Sequence, residues 1–465
     1  MSQKPRLLYI ASRWPWPVST GRQRMIDQEL RFAAEEYEVT VAAFGTQSPG
    51  NLPGDWVGRV ASLPLPGWLE ILSNLVLGRC GSLQECLYRS VAAARAIAVL
   101  ADLVQPDIVM FDMVRTAQYG EIAGLFPESC RRVLDMDDLL SDRYRQMQAT
   151  AESGQSALGM FTQKFGRPVA WLARLLPRLL FGVEARLMHR RERVMTEKAD
   201  MVLLVSGQEA ETLRDRTGAD HVQPVPPAVE DFPVPHRFPD ESTEFKFLGS
   251  ARYAPNAEAM RFLDKVGDHL AGEGQPVEFK AFGAPDDKLE FTHVHQAGYL
   301  DDLGHEFTPG KVMVAPILTG TGVKTKILEA MARAVAVITT SKGTEGLGVE
   351  HGTHLLVADD PREFADHVKD LSQNPGRTAE IAKAGFDYAR AHHGEEKLKN
   401  DFLDNLAAAR SIPHRYRYRT TGLRGGNSTW RTAISAGNAN NGPAITAKRC
   451  HYSFRAIVPS RRNPM

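Results

Sequence analysis

The 465-residue sequence predicts an α/β protein built from two doubly wound parallel-sheet domains that face each other across a cleft. Three observations carry this. Short apolar runs of strand length alternate with segments of helical period, the mark of parallel strands covered on both faces. The alternation stops at a proline-rich stretch and then starts again. Apolar content is 43%, enough for more than one core, and no run approaches the about 20 apolar residues that a membrane-crossing helix needs.

In chain order, Leu7–Ile10 reads as the first strand and about 22–36 as the helix after it. Val39–Phe44 is the next strand, followed by a long helical region near 83–104. Asp107–Phe111, Val133-Leu134 and Met201–Val205 are further strands, with a helix near 116–125. Residues 224–242 hold six prolines and read as a linker. Beyond it, strands are predicted at Phe245–Leu248, Val277–Phe282, Val312–Ala315, Val335–Thr339 and Leu355–Val357, and helices near 256–271, 324–333, 361–372 and 377–391. Ligands of such sheets bind beyond the carboxyl ends of the strands, which makes the cleft the default site.

Lys+Arg and Asp+Glu are both 56, but the balance hides an asymmetry. Residues 411–465 carry ten basic residues and no acidic one, leaving 46 basic against 56 acidic in 1–410, a net charge of −10. This end has neither strand nor helix period and predicts a disordered basic tail. It carries no groove-reading motif, so no specific nucleic acid is expected. Cys80, Cys86, Cys130 and Cys450 form no C-x-x-C pair and no common zinc spacing, which points to reduced thiols. The apolar run after the basic start, MSQKPRLLYIAS, is too short for a signal segment and reads directly as a strand. Together these predict a cytoplasmic protein. Residues 169–194 mix apolar side chains with arginines, which fits either a helix lying on the inner face of an anionic membrane or a core helix followed by a solvated one.

Lys311–Asp360 carries the chemistry. A strand, VMVAPI, ends in a loop holding Gly320, Thr321 and Gly322, and a helix begins near Val323. Glycines admit close approach to a ligand, and a helix start favours an anion. Lys324 and Lys326 at that end oppose the helix dipole, a conflict that a bound diphosphate removes. Glu329, one turn beyond Lys326, is placed to accept bonds from sugar hydroxyls. A glycine turn before an ordinary amphipathic helix with a Lys/Glu surface pair fits the same residues.

The series GTGVKTKILEAMA, VITT, GTEGL and HLLVADDPREFA, together with FLGSARYAPNAEAMRFL at 247–263, resembles the C-terminal half of the group 1 (family 4) retaining glycosyltransferases of the GT-B fold, and among them the bacterial subgroup that makes exopolysaccharide and cell-surface glycans. The resemblance implies two Rossmann-like domains: an acceptor-side domain at 1–225, a linker at 226–242, a donor domain at 243–392, a terminal helix at 393–410 packing back on the first domain, and the tail at 411–465. It implies a nucleoside-diphosphate sugar as co-substrate, a glycan or lipid-linked acceptor, and no metal or other cofactor. Glu329 would hold the donor ribose, Arg252 the diphosphate with Lys324 and Lys326, and Thr344, Glu345 and Gly346 the donor sugar. Gly298 would lie beside the base and Gly21 under the phosphates, with Gly320, Thr321 and Gly322 as the donor loop. Arg252, Lys326 and Glu329 would carry catalysis.

The sequence departs from the family in places. Thr321 stands where the first Glu of the E-x7-E pair belongs, and Ala334-Val335-Ala336-Val337 replaces G-x-P-V. Pro227-Ala228-Val229-Glu230 replaces N-G-V-D. Asp135, Asp137 and Asp138 have the spacing of a metal-binding D-x-D but also that of a strand-end acidic turn facing acceptor. Asp112, at the end of DIVMFD, fits a general base or a helix cap. Two other readings remain at this stage: a sugar-nucleotide epimerase, and an inactive family member that binds or assembles partners.

Overall fold

The computed structural model of the chain describes residues 4–45, 56–149, 177–235, 244–300, 302–319 and 323–411. Gly320, Thr321, Gly322, residues 169–176 of the 169–194 segment, residues 236–242 of the linker and residues 412–465 of the basic tail lie outside them.

The first half runs β1 (Arg6–Ala11), α1 (Gly21–Glu36), β2 (Glu38–Phe44), β3 (Arg59–Leu63), α2 (Trp68–Val76), α3 (Leu83–Cys86), α4 (Val91–Val104), β4 (Ile108–Asp112), α5 (Met113–Ala117), β5 (Arg131–Asp137), α6 (Leu140–Ala149), α7 (Pro177–Lys198), β6 (Met201–Leu204), α8 (Gly207–Thr217) and β7 (Val222–Pro224). All seven strands are parallel in the order β3-β2-β1-β4-β5-β6-β7. The order reverses between β1 and β4, so a crevice opens beyond their carboxyl ends. Each sheet face buries its own cluster: Leu8, Ile10, Val109 and Phe111 point to one side, Leu7, Tyr9, Ile108 and Met110 to the other, the period-2 alternation of a strand.

The second half repeats the plan with β8 (Phe245–Leu248), α9 (Ala254–Gly272), β9 (Phe279–Phe282), β10 (Val294–Gly298), α10 (Leu303–Glu306), β11 (Val312–Ala315), α11 (Thr325–Ala332), β12 (Ala336–Thr339), α12 (Ser341–Thr344), β13 (Leu356–Val357), α13 (Pro361–Gln373), α14 (Pro375–His393) and α15 (Glu395–Ser411). The parallel order is β10-β9-β8-β11-β12-β13, with its switch point between β8 and β11. Side chains cap several helices: Thr20 accepts from Gln23 N, Ser90 from Ala93 N, Ser206 from Glu209 N and Asp360 from Arg362 N. Such caps stabilise by about 1 kcal/mol each.

Three sequence readings change. The long helix near 83–104 is two helices, broken where Ser90 starts a new cap. The helix near 116–125 is one short helix and a 3-10 turn at Gln118–Glu121. The missing breaker after α11 is replaced by Ala334 itself, which adopts φ +57 where a glycine would sit without strain. The final helix α15 returns to the first sheet, where Leu398, Phe402 and Leu406 are buried and Phe402 meets Phe32 at 6.2 Å between ring centres. Burying each such side chain contributes roughly 1.5–3 kcal/mol.

Candidate active site

The carboxyl end of the first sheet is a buried ionic cluster. Arg22, on the first turn of α1, falls on the helix's apolar face with Met25, Ile26, Glu29 and Ala33. Its guanidinium Nη2 donates to Asp112 Oδ1 at 2.6 Å and to Asp135 Oδ2, and Nη1 donates to Asp137 at 3.2 Å. Asp112 is fully buried, and its Oδ2 accepts from Ser12 N at 2.6 Å. Burial opposes its charge, but Arg22 outweighs that and holds the carboxyl below its ordinary range. Asp112 thus occupies the N-cap position of α5 without capping it. Tyr9 Oη bonds Glu29 at 2.9 Å and Asp135 at 3.2 Å. Burial, with the Asp135 charge adding to it, pushes the Glu29 carboxyl well above the ordinary carboxylate range. The backbone is strained where these strands end, with φ +66 at both Met113 and Asp137 and a register shift between Asp135 and Asp137. The D-x-D spacing therefore serves arginines. Asp135 and Asp137 bind Arg22, and Asp138 pairs with Arg143. Burial raises the Asp138 carboxyl to about 7.

Above this cluster lies a cavity of about 330 Å³. Its wall comes mostly from the first half, including Arg13, Gly21, Arg22, Arg115, Asp137 and Arg143, and is completed by Pro227, Val323 and Thr325 from the linker and second half. Burial, helped by the nearby Arg115, lowers the Arg13 pKa from its ordinary value.

The second sheet supplies the lysines. Lys324 is the N-cap residue of α11 and Lys326 lies in its first turn. The Lys326 ammonium crosses to the end of β8, donating to Leu248 O at 3.1 Å and standing 4.8 Å from the centre of the Phe247 ring. Among the described residues it has no carboxylate partner. Burial, with Lys324 adding repulsion, lowers its pKa to about 8. Burial likewise lowers Lys324 to about 8, with Glu345 opposing and Lys342 and Arg143 contributing. Glu329 receives the guanidinium of Arg24 from α1, so the carboxylate is engaged across the cleft. Arg252 is exposed, and its Nε donates to Pro285 O at 2.9 Å. It follows the same β8 end that Lys326 reaches, but its side chain turns toward the loop after β9.

The remaining sequence-predicted positions lie on both lobes, and of them Gly21 lines the cavity. Gly21 is the first residue of α1, and a side chain there would meet open space. Gly298 ends β10 with φ +85, and its carbonyl accepts from Gly283 N at 2.8 Å. Thr344 ends α12, Glu345 pairs with Lys342 at 2.7 Å, and Gly346 has φ +76. A Cβ on Gly346 would lie 3.1 Å from Val323 and 3.6 Å from the Ser206 hydroxyl of the first half, so this loop faces both lobes. Close approach also explains Gly283, φ +146, whose Cβ would strike the Gly249 backbone at 2.6 Å. Sequence reasoning missed Arg13, Arg22, Arg115 and Arg143. For Arg22 a signal existed: with Glu29 it falls on the apolar stripe of α1.

Two parallel α/β sheets of seven and six strands, each with a switch point, are the arrangement of the GT-B fold. The match to the family described as "Glycosyl transferases group 1" covers residues 244–374, which span the second sheet up to β13 and run through α13. A 44.6 kDa protein in the cps region of Klebsiella pneumoniae is 37% identical over 87 residues, 19% of this chain and 22% of that relative, so the match spans about a fifth of the relative's length. Among solved structures, a sucrose-phosphate synthase from Thermosynechococcus elongatus is similar over 87% of this chain and 100% of its own, with TM-score 0.57 and 14% identity. Anabaena HepE in complex with UDP gives 0.56 and 13% over 87% of this chain and 100% of its own. The same protein with UDP-glucose gives 0.54 and 13% over 87% and 99%. At such identities the likeness establishes the fold. Among the described residues no helix is long and apolar enough to cross a membrane.

Proposed function

We propose that the chain transfers a sugar from a nucleoside-diphosphate sugar to a hydroxyl acceptor with retention, without a metal, in bacterial polysaccharide or cell-surface glycan synthesis. The observation that carries this is Lys326, an ammonium at the second switch point that, among the described residues, has no carboxylate to balance it. A cation kept short of countercharge where two strand ends and a helix start meet is arranged for a diphosphate. Lys324 and Arg252 complete the positive field, and Glu329 is released by Arg24 to hold the ribose. Gly298, Thr344, Glu345 and Gly346 would serve the base and sugar ends, with Gly21 under the phosphates. The basic cluster then stabilises charge growing on the leaving diphosphate, commonly the largest catalytic contribution. The division of labour follows, with the acceptor on 1–225 and the donor on 243–392. The HepE complexes with UDP and UDP-glucose support a nucleotide-sugar donor, and the capsule-region relative supports a surface-glycan setting.

Screening nucleotide sugars for thermal stabilisation, followed by assay of released nucleoside diphosphate, tests this reading. Stabilisation by one donor with turnover supports it, and no stabilisation by any donor refutes it. Binding without release would favour the second reading, a non-catalytic partner of glycan assembly. That reading draws on Thr321 and on the Arg24 contact that occupies Glu329.

We also place the enzyme at the inner membrane face. Helix α2 leaves Trp68 72%, Leu69 63%, Leu72 51% and Val76 74% exposed, while its one acid, Glu70, turns to cap Val91 N at 2.7 Å. A helix apolar on its outward side needs a cover, and Trp68 with Arg79 suits an anionic lipid interface. Co-sedimentation with anionic vesicles, lost in Trp68→Ser/Leu72→Ser, is the expected result. Equal binding by this variant would refute it.

A further inference from the structure

The cavity over the first sheet holds a feature that the donor chemistry does not use. Arg13 and Arg115 lie close enough for the charge of one to act on the other, and both line the cavity. Like charges set side by side in a partly dry wall are costly unless something of opposite sign joins them. The carboxylate that acts on both is Asp112. Its two oxygens are already taken, Oδ1 by Arg22 at 2.6 Å and Oδ2 by Ser12 N at 2.6 Å. Among the described residues neither Arg13 nor Arg115 makes an ion pair. Arg115 is only 5% exposed, its Nε has no hydrogen-bond partner, and its guanidinium meets the Met113 sulfur and hydrogen-bonds Tyr88, whose ring centre lies 5.3 Å away. Beside them the Gln84 Oε1 has no donor, an acceptor of the kind a sugar hydroxyl satisfies.

The other charges of the wall are accounted for. Arg22 is shared among Asp112, Asp135 and Asp137, Arg143 pairs with Asp138, and Glu209 accepts from Leu139 N at 3.2 Å. The cavity therefore has one end where carboxylates outnumber the arginines paired with them and one end where, among the described residues, two guanidinium groups make no ion pair. At about 330 Å³ it has the size of a site for one sugar ring.

We propose that Arg13 and Arg115 form an oxyanion subsite for the acceptor, so that the hydroxyl-bearing substrate is an acidic sugar, charged through a phosphoryl or a carboxylate group. Guanidinium groups suit both, since their forked donors match the oxygens of either. The subsite rests on the transferase reading for the word acceptor, but the anion site stands on its own geometry.

The test is binding of glucose 6-phosphate, glucuronic acid and glucose to the full chain by calorimetry at constant ionic strength. The unmodified protein, Arg13→Gln, Arg115→Gln and Lys326→Gln are compared. One charge-assisted contact corresponds to about tenfold in affinity or more. The expected result is that one or both charged sugars bind at least about tenfold tighter than glucose, and that Arg13→Gln removes this preference while Lys326→Gln keeps it. Preference for the phosphate or for the carboxylate identifies which source of negative charge the site takes. Arg115→Gln removes a buried group and can unfold the chain. Arg13 is only partly buried, so its variant keeps the question decidable. Three outcomes overturn the proposal: no binding of any charged probe, glucose binding as tightly as the acids, or loss in Lys326→Gln with none in Arg13→Gln. Donor binding and diphosphate release, measured on the same variants, report on the transferase reading separately. A protein that binds the acidic sugar but consumes no donor would sink that reading and leave the subsite.

Discussion

The two sheet ends that face the cleft handle charge in opposite ways. In the first, Arg22 is enclosed by Asp112, Asp135 and Asp137, and every partner is supplied by the chain itself. In the second, Lys326 leans on a backbone carbonyl and an aromatic ring, and its proton is loosened by burial. The first arrangement is complete without a ligand and fixes the shape of the crevice. The second, among the described residues, is left without a carboxylate, and the proposed diphosphate would supply its counter-charge. The contrast teaches that internal ion pairs hold the walls of one sheet end, while the other is left open to a charge from outside.

Breaking the complete end should have the largest effect. Arg22→Met leaves buried carboxylates without a counter-charge, and a loss of about 3–5 kcal/mol is expected. Thermal or urea unfolding measures it, and an unchanged midpoint would show that the cluster holds nothing. Lys326→Gln should do the reverse, leaving the unfolding midpoint unchanged or higher while kcat/KM for the donor falls by about 10²–10³. Parallel loss of stability and activity would remove the distinction between the two ends.

The contrast is sharpened by pH. With Lys324 and Lys326 near 8 in the empty protein, their charge is lost as pH rises through that value. A bound diphosphate favours the charged form, so binding near pH 8 to 9 should take up protons and weaken as pH rises further. Calorimetry in buffers of different ionisation enthalpy reads the uptake. Without ligand, these lysines make a contribution to stability that grows between about 8 and their ordinary 10.5, since over that window the unfolded chain holds more protons. The smallest effect belongs to the turn after α11. Ala334→Gly relieves a left-handed φ and should raise stability by about 0.5–1 kcal/mol, read as a small rise in Tm.

Much of this was legible in the sequence where burial and period coincide. The central strands β1, β2, β4, β8 and β11 are runs of apolar residues, because both of their faces are covered. The short edge strands β3, β7 and β10 were not legible. In β10, for example, the polar His295 and Gln296 stand next to each other and are not buried, so no apolar run marks the strand. At the site, the glycine-lysine loop announced the second sheet end because its chemistry is local in sequence. The first sheet end is assembled from positions about 90 to 115 residues apart, Arg22 with Asp112 and Asp137. Spacing carries no trace of such pairs, and only the topology of a switch point brings them together.

The chain passes between its two lobes twice, in the linker and between α14 and α15. These two passages are fastened to each other: Val229 N donates to His393 O at 2.9 Å and His393 Nδ1 to Pro227 O at 3.1 Å. Gln28 of α1 clasps the linker from the other side through Pro226 O and Ala228 N. The pair acts like the spine of a book. Pages bound along one edge stay opposite each other, and these bonds in the same way keep the two printed faces in register.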